Sequence, residues 1–387
     1  MTTVFICMDW FHPAYKAGGP VQSIANLVEQ YRQEQVCFKI FCSNTDLDGS
    51  VNQGVAFDEW CYYNASTQVW YASASSKRVA VIKREVKKSG AAILFIIGIY
   101  SWYFNLVPLL FCKAPVKIIS ARGMLHPGGL TQKSFKKKVF LALWKLAGIP
   151  ARNYFHATDE QERGFIHNIF GGQAKVFIAG NFSRSFAMQA ATGKAAGILH
   201  LASIAVIGAM KNIALVLQAL QQCNHHIYYH IYGPIKEEAY WQQCLAAIKM
   251  LPPNISVSYQ GDVAPEKIEA TLRGCEVFIL PSKSENFGHA ISEALSAGKP
   301  VITSHYTPFN NLFNQHAGQN IAVENVKEVA VAIDYFAAMP AGTFAEWNIG
   351  ASNYAERNTN KELLKTQYDK MFLRGGSNGQ LARGNKQ

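Results

Sequence analysis

Two doubly wound, Rossmann-like α/β domains facing across a cleft are what this sequence predicts, and three observations carry the prediction. The chain has 387 residues, more than a single core ordinarily serves. Short apolar runs alternate with amphipathic stretches along most of its length, the pattern of parallel strands covered by helices on both faces. Near the middle this alternation lapses over Ser183–Gly197 (SRSFAMQAATGKAAG), which is poor in large apolar residues, and then it restarts. The predicted layout is an N-terminal domain over 1–182, a linker over 183–198 and a second domain over 199–342. A helical segment over 343–373 packs back across the domains, and a disordered tail covers 374–387.

The first strand is Val4–Met8, followed by a loop, Asp9–Gly19, and a helix opening at Pro20. Proline suits the first helical turn because its missing N–H would have no partner there anyway. Ile24, Leu27, Val28 and Tyr31 then recur at helical spacing and define one buried face. Strands follow at Cys37–Cys42, Ala92–Ile97, Val116–Ser120 and Val176–Ile178. Beyond the linker come strand Leu199–Ala205, helix Ile213–Leu220, strand Ile227–Tyr232, helix Glu237–Met250 and strand Ile255–Tyr259. Helix Glu266–Leu272, strand Val277–Leu280, helix Phe287–Ala297 and strand Val301–Thr303 complete the series. In such folds ligands gather at the carboxyl ends of the strands.

Apolar residues make up 49% of the chain, enough for two cores. Lys and Arg total 37 against 26 acidic residues, a formal charge of +11 that suits nucleic acid, an anionic membrane or a phosphorylated substrate. The 8 cysteines include no C-x-x-C pair and several lie in apolar runs, so reduced thiols in a cytoplasmic protein are expected. The start, MTTVFICMDW, lacks a basic region and reads as a strand rather than a signal peptide. Residues 91–112 (AAILFIIGIYSWYFNLVPLLFC) are long enough to span a bilayer. Gly98, Ser101, Asn105 and Pro108 interrupt them, which favours a buried strand, a turn and an apolar helix.

The chemistry concentrates in residues 277–304, VFILPSKSENFGHAISEALSAGKPVITS. An apolar strand ends at Leu280, and a helix follows whose end is marked by Gly298 and Pro300. Ile291, Ala294 and Leu295 form its apolar stripe, and Glu293 lies off it. A helix start at the end of a parallel strand offers open N–H groups to phosphate or sugar oxygens. Glu285 in that turn is placed to accept hydrogen bonds from sugar hydroxyls, and Glu293 to take vicinal ribose hydroxyls. Alone, either glutamate would read as a solvated acid near a helix start.

Together these residues resemble the donor-binding segment of family 4 GT-B glycosyltransferases, with the E-x-F-G turn, the paired glutamates and E-A-L followed by G-x-P-V-I. The resemblance extends to Gly18-Gly19-Pro20, to Met210-Lys211-Asn212, to Tyr232-Gly233 and to Gln260-Gly261-Asp262-Val263. Ser120-Ala121-Arg122-Gly123-Met124-Leu125 is similar to a stretch found in a bacterial surface-polysaccharide subgroup. The resemblance implies a GT-B fold and a retaining sugar transfer from a nucleotide sugar to a glycan or lipid-linked acceptor, in lipopolysaccharide or polysaccharide biosynthesis, with no metal and no cofactor. It implies that Lys211 neutralises the leaving diphosphate and that Glu285 orients the sugar; Arg122 is expected as a third catalytic group, because its guanidinium suits phosphate and would restore a positive charge that the family's pattern loses here. The implied donor-binding set is Gly18, Gly19, Lys211, Gly233, Val263, Glu285, Asn286, Phe287, Gly288 and Glu293. Two departures stand out. The family's arginine is missing from Ala205–Met210, and the histidine common near Arg122 is replaced, His126 being the nearest imidazole. They motivate the alternative of a GT-B-like protein that binds sugar nucleotide without turnover; an epimerase on the same architecture is a third.

Other signals are weaker. Asp46-Leu47-Asp48 has the D-x-D form of a metal motif but sits beside Gly49 in a turn context. His225, His226 and His230 do not share one strand face. Thr131–Ile149 combines Lys133, Lys136, Lys137, Lys138 and Lys145 with Phe135, Val139, Leu143 and Leu146 at helical spacing. That suits either a core-packed helix with a solvated face or an interfacial helix holding the protein peripherally on anionic lipid. No aromatic-and-basic recognition motif accompanies the lysines, so no nucleic-acid partner is expected.

Overall fold

The computed structural model describes residues 2–31, 36–126, 134–188 and 193–374. Contacts divide the chain into two units, Met1–Phe182 with Lys361–Gln387, and Ser183–Asn360. Of the expected tail only Arg374 lies within the described residues, and Thr131, Gln132 and Lys133 of the basic segment lie outside them.

The first unit runs β1 (Thr2–Cys7), α1 (Gly19–Glu29), β2 (Val36–Ser43), β3 (Trp60–Asn64), β4 (Thr67–Ala72), α2 (Val79–Ser89) and β5 (Ile93–Ile97). It continues with α3 (Val107–Phe111), β6 (Val116–Ser120), α4 (Ser134–Leu146), α5 (Ile149–Arg152), β7 (Tyr154–Ala157), α6 (Glu160–Phe170) and β8 (Lys175–Ile178). Among the described residues the sheet order is β3-β4-β2-β1-β5-β6-β7-β8, parallel except for β3 against β4. Side chains alternate across it, so Val4, Ile6 and Met8 enter one core while Phe5 and Cys7 enter the other. With both faces buried, β1 reads in sequence as one unbroken apolar run.

The apolar stretch over 91–112 resolves into β5, a π-helical turn at Trp102–Leu106 and α3. Asn105 ties them together, accepting from Ser101 N at 2.9 Å and donating to Ile97 O at 2.8 Å. No described helix is long and apolar enough to cross a membrane.

Helix α4 is packed on the core, but not through the apolar residues singled out in sequence. Leu141 and Trp144 are its buried residues, whereas Phe135, Val139, Leu143 and Leu146 are exposed, at 77% for Phe135 and 85% for Leu146. The helix carries two apolar series, and the bulkier Trp144 wins the core, where it lies 6.3 Å from the Phe170 ring.

The second unit runs β9 (Ile198–Ile204), α7 (Ile213–Leu220), β10 (His226–Tyr232), α8 (Glu238–Ile248), β11 (Ile255–Tyr259) and α9 (Ile268–Arg273). Then come β12 (Val277–Leu280), α10 (His289–Ser296), β13 (Val301–Ser304), β14 (Gly318–Ile321), α11 (Val326–Ala338) and α12 (Ala341–Asn358). Its described strands are all parallel, in the order β11-β10-β9-β12-β13-β14. The order reverses between β9 and β12, and at such a reversal neighbouring crossovers leave on opposite faces and open a crevice at the strand ends.

The helical stretch expected over 343–373 is two helices. α12 buries Phe344 and Trp347 on one side and Ala351 and Tyr354 on the other, within the second unit. After residues 359–360, α13 (Lys361–Asp369) belongs to the first unit. There Tyr368, Met371 and Phe372 are fully buried, Phe372 lies edge-on to Phe38 at 5.7 Å, and Tyr31 Oη donates to Asp369 at 2.7 Å.

Candidate active site

In the second unit the switch between β9 and β12 brings together the two segments singled out in sequence. β9 leads through Ile207 into a tight 3-10 turn, Ala209–Lys211, and Asn212 takes a left-handed conformation before α7 begins. Asn212 is held there by donating from Nδ2 to Val323 O at 2.9 Å. β12 leads into Pro281–Gly288, and Lys283 N donates to Met210 O at 2.9 Å, joining the two strand-end loops. Across this join Lys211 Nζ donates to Glu285 Oε1, which also accepts from Ser282 Oγ at 2.8 Å. Glu285 N donates to Tyr306 O at 3.1 Å, so the loop after β13 fixes the same turn. The result is a half-buried ammonium–carboxylate pair at the crevice of a parallel sheet.

The remaining expected donor-side residues lie around it. Gly288 is left-handed (φ 73°) and precedes the first turn of α10, which has no side-chain cap and no acidic residue. Phe287 sits against His289, with ring centroids 4.6 Å apart, and Asn286 lies in the same turn. At the end of β10, Gly233 has φ 129°, and a Cβ there would lie 1.9 Å from Ala205 O. Its N–H donates to Gly261 O at 2.8 Å, bringing the β11 loop and the partly buried Val263 alongside.

Glu293 has a different environment from Glu285. It is 2% exposed, and Arg184 Nε donates to Oε1 at 3.2 Å while Arg184 Nη1 reaches Pro265 O at 3.0 Å. Burial pushes its pKa up from 4.5 to about 7, against the opposing pull of Arg184. In this conformation a guanidinium occupies the carboxylate that was assigned to ribose hydroxyls. No local sequence signal marks Arg184, which lies 109 positions away in the expected linker.

In the first unit, Gly18 (φ 77°) opens α1, whose first turn carries no acidic residue and no side-chain cap. Gly18 N donates to Tyr15 O at 2.9 Å and Val21 N to Gly18 O at 3.1 Å, and Pro20 has no N–H, so among the described residues Gly19 supplies the amide left for a ligand. The loop before it is fixed by Asp46, whose Oδ2 accepts from Tyr15 N at 3.0 Å and Lys16 N at 3.2 Å. Lys16 Nζ meets Asp48 at 2.6 Å. Both carboxylates of the D-x-D sequence thus serve the glycine loop. Of the three histidines, His225 pairs with Asp334, His230 bonds Ser258 and His226 is exposed. Among the described residues no group of three metal-ligating side chains converges.

Arg122 follows β6 with a left-handed φ of 50° and is 8% exposed. Its Nη1 donates to Asn181 Oδ1 and its charge acts on the neighbouring Tyr368 hydroxyl, yet Nε and Nη2 are buried without an acceptor among the described residues. The nearby Glu162 is already taken by Gly123 N, Thr158 N and Thr158 Oγ1. Behind it, His156 is fully buried between Ser120 Oγ and Ala179 O, its pKa pushed down to about 3 by burial and by Arg122. A buried guanidinium with spare donors and no carboxylate suits an anionic group.

Comparison with known proteins gives these sites their context. Residues 187–348 match the family described as Glycosyl transferases group 1. A stretch of 105 residues is 34% identical to the O-antigen biosynthesis glycosyltransferase WclY of Escherichia coli, covering 27% of this chain and 28% of that protein. Among solved structures, sucrose-phosphate synthase from Thermosynechococcus elongatus is similar with a TM-score of 0.73 at 13% identity, over 97% of this chain and 99% of that one. HepE of Anabaena, in complex with UDP and glucose, gives 0.69 at 13% identity, over 96% and 99%. The chain is therefore a GT-B-fold protein related to the group 1 glycosyl transferases, whose matching region takes in most of its second unit.

Proposed function

We propose that this protein is a metal-independent, retaining glycosyltransferase that moves a sugar from a nucleotide-sugar donor to a glycan or lipid-linked acceptor in bacterial surface-polysaccharide assembly. The Lys211–Glu285 pair at the β9/β12 switch is the observation that carries the reading. In this reading the donor diphosphate displaces Glu285 from Lys211. The ammonium then meets the negative charge that grows on the leaving nucleoside diphosphate, and the freed carboxylate takes sugar hydroxyls. Both groups are pre-positioned by the backbone bonds from Lys283 and Glu285, so little reorganisation is needed at the moment of bond breaking. The likeness to HepE, described with UDP and glucose, favours a UDP-sugar as donor. The open Gly19 amide and the spare donors of Arg122 are each assigned a phosphate or other anionic ligand group.

The test is a thermal-shift screen of nucleotide sugars followed by assay of released nucleoside diphosphate with lipid and glycan acceptors. Lys211→Met is expected to lower turnover roughly a hundredfold or more, and Glu285→Gln to do the same. Normal transfer by either variant would overturn the roles given. Donor binding without turnover for any acceptor would instead favour a sugar-nucleotide-binding protein.

The exposed series on α4 supports peripheral attachment to an anionic membrane. Phe135, Val139, Leu143 and Leu146 face outward on a helix that carries Lys136, Lys137, Lys138 and Lys145 and no acidic residue. Sedimentation with phosphatidylglycerol vesicles is expected, weakening with salt and with Leu143→Asp/Leu146→Asp. No binding at low salt would end this part of the reading.

A further inference from the structure

The loop after β13 holds an aromatic side chain that the scheme above does not use. Ser304 ends the strand and donates from Oγ to Ser282 O at 2.5 Å, while the same Oγ accepts from Tyr306 N at 3.1 Å. Tyr306 O then takes the Glu285 N–H. The backbone of Tyr306 is thus fixed on both sides to the turn that carries Glu285. Further along, Asn320 Nδ2 donates to Phe309 O at 2.7 Å, Asn310 N donates to Tyr354 Oη at 3.1 Å, and Thr307 is buried. The loop is therefore a rigid ledge over the ends of β12 and β13.

From this ledge the Tyr306 side chain projects with 61% of its surface exposed. Among the described residues it packs on no other ring, and its hydroxyl has no hydrogen-bond partner. An aromatic side chain on a rigid backbone loses little further entropy when it meets a ligand. Its flat apolar face also suits the C–H face of a pyranose, whereas the carboxylate of Glu285, whose backbone is bonded to that of Tyr306, suits the hydroxyl edge.

We propose that Tyr306 is a specificity-determining residue, a stacking platform for the sugar ring of the donor on the side opposite its hydroxyl contacts with Glu285. The inference rests on the donor-site reading and goes beyond it by naming which part of the donor the loop recognises. A platform of this kind contributes to nucleotide-sugar affinity and nothing to affinity for the free nucleoside diphosphate.

The experiment is calorimetric titration of the full chain and of Tyr306→Ala, Tyr306→Phe and Tyr306→Trp with UDP-, GDP-, ADP- and dTDP-hexoses and the matching free diphosphates. Tyr306→Ala is expected to weaken the nucleotide sugar roughly fivefold to tenfold and leave the diphosphate unchanged. Tyr306→Phe and Tyr306→Trp are expected to restore the difference. Equal weakening of both ligands would place the ring against the nucleotide and overturn the sugar assignment, as would no weakening of either. Failure of the unsubstituted chain to bind any of these ligands would instead overturn the donor-site reading itself. All variants are expected to melt with the parent, because the side chain is exposed.

Discussion

Replacing Glu293 with glutamine isolates the energetic consequence of burying a carboxyl beneath Arg184. The carboxyl pKa rises from 4.5 unfolded to about 7 folded, so the native state holds the proton more tightly than the unfolded chain. Stability is therefore greatest at low pH with respect to this group, falls as pH rises through 4.5, and levels off above 7. At about 1.4 kcal/mol for each tenfold change in proton affinity, the interval corresponds to about 3 kcal/mol. Glutamine has nearly the same shape and no proton to lose. The stability of Glu293→Gln relative to the parent is expected to climb by about 3 kcal/mol between pH 4.5 and 7.5, most of it above pH 5. In a unit of this size that is roughly 6–12 °C in Tm. Thermal melts of both proteins across this range give the comparison, and the difference cancels the other ionisable groups. Parallel curves would refute the reasoning, because they would require a carboxyl that ionises normally while 2% exposed.

Three further outcomes follow from the geometry. Gly233→Ala is expected to cost about 4 kcal/mol or more and to abolish soluble expression of the second unit, since its Cβ would overlap Ala205 O at 1.9 Å. Gly261→Ala, with φ 74° and open space around it, is expected to cost only about 1–2 kcal/mol, read from the same melts. Asp46→Ala should speed amide exchange at Tyr15 and Lys16, whereas Asp48→Ala, which removes an exposed ion pair, should leave it unchanged.

Most strands of both sheets were legible in this sequence, although β4, β7 and β14 as well as β3 were not read from it. β1, β6, β9, β12 and β13 are short apolar runs because parallel strands bury both faces, whereas β10 alternates buried with exposed residues and β11 lies at the sheet edge. The β3–β4 hairpin escapes that rule: Trp60–Asn64 is an edge strand with half-exposed residues, and its turn at Ala65-Ser66 carries no glycine. The join between α12 and α13 was equally silent, because Thr359-Asn360 lies within a stretch that otherwise sustains helical spacing. At the site, Lys211, Glu285 and Gly288 could be read locally, since each sits in a motif at a strand end. The partners that define their chemistry could not. Arg184 on Glu293, Tyr306 beside Glu285 and Tyr368 on Arg122 are each set by tertiary folding, and only packing places them. On α4 the sequence offered two apolar series and no means of choosing which one faces inward.

The return of α13 to the first unit bears on how the chain is made. Tyr368, Met371 and Phe372 fill a core whose other walls are Tyr31, Phe38 and Phe95. The second unit, Ser183–Asn360, is thus an insertion between two pieces of the first. During synthesis it has all its residues before the earlier unit does. The N-terminal sheet must wait on the ribosome with an aromatic-lined gap, kept from aggregation until Phe372 emerges to fill it. A fragment ending at Phe182 would keep that gap permanently, and a separate peptide spanning 361–374 is the natural piece to close it.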